Sequence, residues 1–120
     1  MKLQNEMFTV IGGDTDHVQI KLNASHLIYQ AHFPGNPITP GVCIVQIIGE
    51  LLQQRTGNRL ALQKVTNLKF ISPISPVENP LLTISFSDVS ESEEEVKAKG
   101  TIMAGEEMKT KFSLVFNKKQ

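Results

Sequence analysis

Cysteine occurs once in the 120 residues, and neither sign of charge is in excess, with 12 Lys+Arg against 12 Asp+Glu. A lone cysteine excludes an internal disulfide. Cys43, set in an apolar run, reads as a small core residue, in keeping with a reducing compartment. Balanced charge removes the electrostatic footprint that a polyanion partner would need, so no nucleic acid is expected. No apolar run approaches the ~18 residues of a spanning helix, and Met1–Glu6 lacks the apolar core of a signal peptide. A cytoplasmic protein without membrane insertion is the expectation. Internal repeats, linkers and low-complexity stretches are also missing, so residues 1–120 read as one domain, long enough to bury roughly two-thirds of its unfolded surface. His17 and His26 have no cysteine or carboxylate neighbours at metal spacing. They read as surface or capping histidines, and neither metal nor cofactor is expected.

What is present is concentrated in residues 32–57. Pro34, Pro37 and Pro40 recur every third residue; each fixes its own φ and biases the residue before it away from helix, which predicts a stiff, extended loop from His32 to Ile38. A helix follows, with Thr39 as N-cap, Pro40 at the first helical position and Gly57 at the left-handed C-terminal position. Val42, Ile44, Val45, Ile47, Ile48, Leu51 and Leu52 cover most of its circumference, the mark of a nearly all-round buried helix. Gln46, Glu50, Gln53 and Gln54 form one narrow polar stripe, with Cys43 leading into it. Such a stripe is either a strip of solvent or dimer contact, or the wall of a polar site opening towards His32.

Around this stretch the chain alternates as strands do. Residues 7–12 and 18–23 read as a hairpin, 24–31 as a short connection with room for one helical turn, 60–70 as a long strand, and 80–117 as an antiparallel meander broken by the acidic turn Ser90–Glu95 and by Gly105–Glu107. One buried helix with about six mostly antiparallel strands makes an α+β domain, its sheet wrapped around the helix.

The run His32-Phe33-Pro34-x-x-Pro37-x-x-Pro40-Gly41-Val42, followed by an apolar helix, resembles the β-hydroxyacyl-acyl-carrier-protein dehydratases of the hotdog fold. Phe70-Ile71-Ser72-Pro73-Ile74-Ser75-Pro76 is similar to that family's strand-then-Pro-x-x-Pro segment, which places about residues 14–118 in the family's frame, without its usual N-terminal extension. The resemblance implies a hotdog homodimer, or a multiple of one, with active sites between subunits, acting on acyl-carrier-protein-linked thioesters. There is one departure. The family's acid, Glu or Asp, falls fourteen residues after the histidine, where this chain has Gln46, and four residues on, where many members carry Gln, it has Glu50.

Dehydrating a 3-hydroxyacyl thioester to its trans-2-enoyl product, as in fatty-acid or polyene-type synthesis, needs a base near neutral pKa, donors at the thioester oxygen and an acid for the leaving hydroxyl. His32 is the candidate base. Gly41 is the candidate oxyanion donor: its N–H lies in the first helical turn, and the lack of a side chain lets a thioester approach. Gln46 has no proton to give but can hold a hydroxyl. Three readings stay open: His32 returns its own proton to a hydroxyl oriented by Gln46; Glu50 has taken over as acid from one turn away; or the site binds acyl thioesters without dehydrating them. Hotdog thioesterase chemistry is a further alternative. Phe33, Ile38 and the helix apolars, Val42 among them, are candidates for an acyl tunnel and equally for plain core. Arg55, Arg59, Lys64 and Lys69 are candidates to meet an acyl carrier protein, and equally scattered solvated charges.

Overall fold

The structure, a computed structural model, describes residues 2–31 and 35–119. His32, Phe33 and Pro34, which carry the candidate base and one tunnel residue, lie outside the described residues. The elements run β1 (Phe8–Gly13), β2 (His17–Leu22), α1 (Leu27–Ala31), α2 (Gly41–Thr56), β3 (Arg59–Phe70), β4 (Leu81–Glu91), β5 (Glu95–Ala104) and β6 (Glu107–Lys119). All six strands join one sheet in the order β1-β2-β4-β5-β6-β3, with every neighbouring pair antiparallel.

Alternation decides which face of the sheet is dry. Leu82, Ile84 and Phe86 of β4, Val96, Ala98 and Ile102 of β5, and Phe112, Leu114 and Phe116 of β6 point to one face and are buried, while their odd-numbered neighbours are half-buried or exposed. Against that face lies α2, burying Cys43, Ile44, Ile47, Ile48, Leu51 and Leu52 in the same core cluster. This is the hotdog arrangement expected from the sequence, an α+β layer of sheet wrapped on one long helix.

Three local expectations are corrected. Thr39 does not cap α2: the N-cap is Pro40, with extended φ −61 and ψ 145 and no side-chain capping bond. The Thr39 hydroxyl is engaged elsewhere, with the Tyr29 hydroxyl at 2.8 Å. The loop before it is not extended throughout, because Gly35 at φ 87 turns the chain, a conformation that costs glycine little. Val42, counted among the buried helix apolars, is 71% exposed. At the far end the reading holds. Gly57 adopts φ 72 and donates its N–H to the Gln53 carbonyl at 2.9 Å, closing the helix in the left-handed manner.

Among the strands, β3 stands apart. Its twelve residues occupy one edge of the sheet and none is buried, with Leu62 and Val65 exposed. The acidic turn is shorter than expected, since β4 runs on to Glu91 and pairs Ser90 with Lys97 and Glu91 with Val96. No helix among the described residues is long and apolar enough to cross a membrane.

Candidate active site

The polar stripe of α2 runs from half-buried Gln46 through buried Glu50 and half-buried Gln53 to exposed Gln54. Its middle lines a cleft of about 520 Å³ between α2 and the start of β3, walled by Val42, Val45, Gln46, Gly49, Glu50 and Gln53 on the helix and by Arg59 to Leu62 on the strand. Gln53 crosses it, its side-chain oxygen accepting the Leu60 N–H at 2.9 Å and fixing where β3 begins. Gln46 donates its Nε2–H to Glu50 Oε2 at 2.9 Å, joining the two residues that are exchanged relative to the family pattern. An ionised carboxylate can only accept, so the amide nitrogen of Gln46 must face it.

Glu50 is buried, 4% exposed, and its carboxylate is well occupied. Oε2 accepts the Leu3 N–H at 2.7 Å as well as the Gln46 amide, and Oε1 accepts the Gln4 N–H at 2.8 Å. Three donors on one carboxylate stabilise its charge away from water. The geometry puts Glu50 behind Gln46, between the helix and the N-terminal segment.

Gly41, the candidate oxyanion donor, opens α2 beneath the Phe70 ring: a Cβ built there would come within 2.9 Å of Cζ. The missing side chain therefore lets the Phe70 ring pack onto the start of the helix. The helical bonds of this first turn begin with the Cys43 and Ile44 N–H groups, which donate to the Pro40 carbonyl at 3.0 and 3.1 Å, so helix geometry offers the Gly41 N–H no acceptor within α2. Ile38 is half-buried in the preceding loop and does not line the cleft. Cys43 is buried, and burial pushes its thiol above its ordinary pKa, which leaves it a core residue. Next to Phe70 across the β3–β6 ladder sits Thr110, fully buried, with a hydroxyl that finds no hydrogen-bond partner among the described residues.

The proposed carrier-facing cations separate. Arg55 is committed to the β1–β2 turn, bonded to Asp16 Oδ1 and the Thr15 carbonyl, both at 2.9 Å. Lys64 lines a groove on the outer face of the sheet. Only Arg59 reaches the cleft, where it is joined by Lys2 and Lys119, neither of which any motif or spacing singles out. Of the two other histidines, His26 accepts the Ile28 N–H through Nδ1 at 3.1 Å at the start of α1, and His17 Nδ1 meets Ser85 Oγ at 2.9 Å.

Sequence reasoning missed Tyr29. Its side chain, on α1, is buried and its hydroxyl meets the buried Thr39 Oγ1, so one bond ties α1 to the residue just before the α2 N-cap. The Thr39 N–H is held in turn by the Ile74 carbonyl at 2.8 Å. Burial pushes the Tyr29 phenol up to about 12. The folded chain thus keeps this proton more tightly than the unfolded chain, whose tyrosine titrates near ~10. The stability it contributes is complete below ~pH 10 and is lost as pH rises towards the folded value, at about 1.4 kcal/mol per pH unit. With one tyrosine and no tryptophan in the chain, tyrosinate absorbance reports this group alone. Tyr29→Phe is expected to abolish the alkaline slope in denaturant midpoint and, by leaving Thr39 unpaired, to cost about 1–3 kcal/mol at neutral pH.

A six-stranded antiparallel sheet of this order packed on one long helix, with a polar cleft beside that helix, defines a hotdog protein. Residues 11–111 match the ApeI-like family, described as ApeI dehydratase, and the chain belongs to that family. It is similar to the 3-hydroxyacyl-acyl-carrier-protein dehydratase FabZ of Brucella ovis, 35% identical over 85 residues, which are 62% of this chain and 53% of that protein. FabZ of Caldanaerobacter subterraneus is 28% identical over 95 residues, 73% of this chain and 66% of that one. The chain thus spans between about half and two-thirds of the length of these relatives. Among solved structures it resembles the dehydratase heterocomplex ApeI:P from Xenorhabdus doucetiae (TM-score 0.60, 16% identity, covering 89% of this chain and 92% of that one). It also resembles a hypothetical thioesterase with coenzyme A from Streptococcus pneumoniae (TM-score 0.64, 13% identity, covering 93% and 85%). At these identities the likeness is one of fold.

Proposed function

We propose that this chain is a homodimeric, single-domain hydro-lyase that converts 3-hydroxyacyl thioesters on acyl carrier protein into trans-2-enoyl thioesters. The observation that carries the reading is the seating of Gln46, at the family's acid position, on the wall of an α2 cleft and in a hydrogen bond to Glu50. His32 takes the α-proton. The Gly41 N–H, at the positive end of the α2 dipole, holds the thioester oxygen as charge grows there. Gln46 holds the β-hydroxyl. The C–O bond breaks as the C=C bond forms, and the imidazolium of His32 gives its proton to the departing oxygen, so that water leaves and the histidine is restored. Val42 lines the cleft and contributes apolar surface for the acyl chain.

The dimer is supported by β3, whose unpaired edge carries the exposed Leu62 and Val65, Leu62 lining the same cleft as the exposed Val42. Such an edge invites pairing with a second copy of itself. The carrier is supported by Lys2, Arg59 and Lys119 at the cleft, none of which has an ion-pair partner among the described residues.

One observation favours a second reading, a module that binds acyl thioesters without turnover. Gln46 cannot release a proton, and Glu50 already serves three donors. Purified protein given a 3-hydroxyacyl-acyl carrier protein separates the two. Growth of enoyl absorbance is expected, and tight binding with no enoyl product would establish the module in its place.

A further inference from the structure

We propose that Glu50 is a positioning residue, acting on the reaction through Gln46 and making the N-terminal segment part of the active site. The inference rests on the reading above that Gln46 faces the substrate. A single oxygen, Glu50 Oε2, takes both the Leu3 N–H and the Gln46 Nε2–H, while Oε1 takes the Gln4 N–H. The segment so gripped is itself compact. The Leu3 carbonyl accepts the N–H groups of Glu6, Met7 and Phe8, Asn5 takes a positive φ of 67, and the side chains of Leu3, Met7 and Phe8 are buried in the core cluster. The carboxylate is therefore a joint between a packed N-terminal turn and the site helix.

Its chemistry explains why the residue at 50 is an acid. An amide at both 46 and 50 would leave either group able to face the other with oxygen or nitrogen. A carboxylate at 50 accepts only, which fixes the Gln46 amide with its nitrogen towards the joint and its carbonyl oxygen on the other side. The same negative charge strengthens the bonds to Leu3 and Gln4. The exchange of Glu and Gln along this helix face is thus a coupled change. It removes the titratable proton from 46 and uses the acid to orient what replaced it.

A double-mutant cycle tests this, with Glu50→Gln, Gln46→Ala and the double variant compared. It is read on kcat and KM with a 3-hydroxyacyl thioester and on binding of a stable amide analogue of that thioester. In the Gln46 parent, Glu50→Gln is expected to lower kcat by about tenfold, the size of one mis-set hydrogen bond, with a smaller change in KM. In the Gln46→Ala background the same substitution is expected to change kcat by less than about twofold. Faster hydrogen exchange at the Leu3 and Gln4 amides should accompany Glu50→Gln in both backgrounds. Equal losses of kcat in both backgrounds would overturn the proposal, since Glu50 would then act without Gln46. So would a Glu50→Gln protein with unchanged kcat and binding. If Glu50→Gln does not fold, Glu50→Asp runs the same cycle with the charge kept and the reach shortened. A parent that binds the analogue but makes no enoyl product rejects the dehydratase reading, and the cycle on analogue binding still decides this one. A parent that neither binds nor turns over rejects both.

Discussion

His32→Ala is expected to lower turnover of 3-hydroxyacyl thioesters by about 10²–10⁴-fold, the usual contribution of a positioned base. An imidazole is the only group in the proline-rich motif that accepts a proton near neutral pH, and no other residue assigned to the site can replace it. The same variant tests the assembly. If His32 of one subunit works against Gln46 of its partner, mixing His32→Ala chains with Gln46→Ala chains gives mixed dimers with one intact site and one doubly damaged site. Random reassortment makes about half the dimers mixed, so about a quarter of parental activity should return. Recovery above the residual activity of either variant is measured after co-refolding equal amounts of the two impaired proteins. No recovery in a preparation shown to contain mixed dimers would place both residues of each site in one chain. A His32→Ala protein as active as its parent would remove the base from the mechanism altogether.

Much of the fold was legible because alternation and helix-end chemistry are local. The meander from residue 80 onwards follows from period-two burial, and Gly57 ends α2 for the conformational reason that suggested it. The misreadings are non-local. Thr39 has the chemistry of a cap, but a tyrosine ten residues earlier takes its hydroxyl. Residues 2–6 carry no pattern that assigns them to an element, yet Leu3 is core, and the partner that anchors it is 47 residues away on α2. No spacing rule reveals that contact. The place of β3 at the far edge, beside β6 and away from β2, likewise depends on where α2 delivers the chain. In the site, the motif exposed Gly41, Gln46 and Glu50 as residues of interest, and the polar stripe hinted at a wall. That Glu50 takes the N-terminal amides and the Gln46 amide on one carboxylate needed the third dimension.

Gln46→Glu carries the other large effect, and the structure gives it two signs at once. A carboxyl group at 46 supplies the acid that the amide lacks, and general acid assistance typically contributes about 10²–10⁴-fold, so elimination from saturated 3-hydroxyacyl thioesters should rise towards that range. The new group, however, would stand where Nε2 now lies 2.9 Å from Glu50 Oε2, and Glu50 is buried. Two carboxylates at that separation cannot both ionise, so the pair keeps one shared proton and its upper apparent pKa rises. A carboxyl whose folded pKa exceeds the unfolded ~4.3 adds stability only while protonated. The variant should therefore be most stable in acid and lose stability as pH climbs through the raised value. Its turnover should fall over the same range as the acid loses its proton. A pH–rate profile of kcat/KM beside denaturant midpoints across the same pH series checks both limbs. The double variant Gln46→Glu/Glu50→Gln supplies the control. With an amide at 50 the like charge is gone, so the pH-dependent loss of stability should disappear, while the Leu3 and Gln4 N–H groups lose their carboxylate and exchange faster. A folded Gln46→Glu protein with parental turnover and no new pH dependence would mean that position 46 touches neither the leaving hydroxyl nor the charge on Glu50.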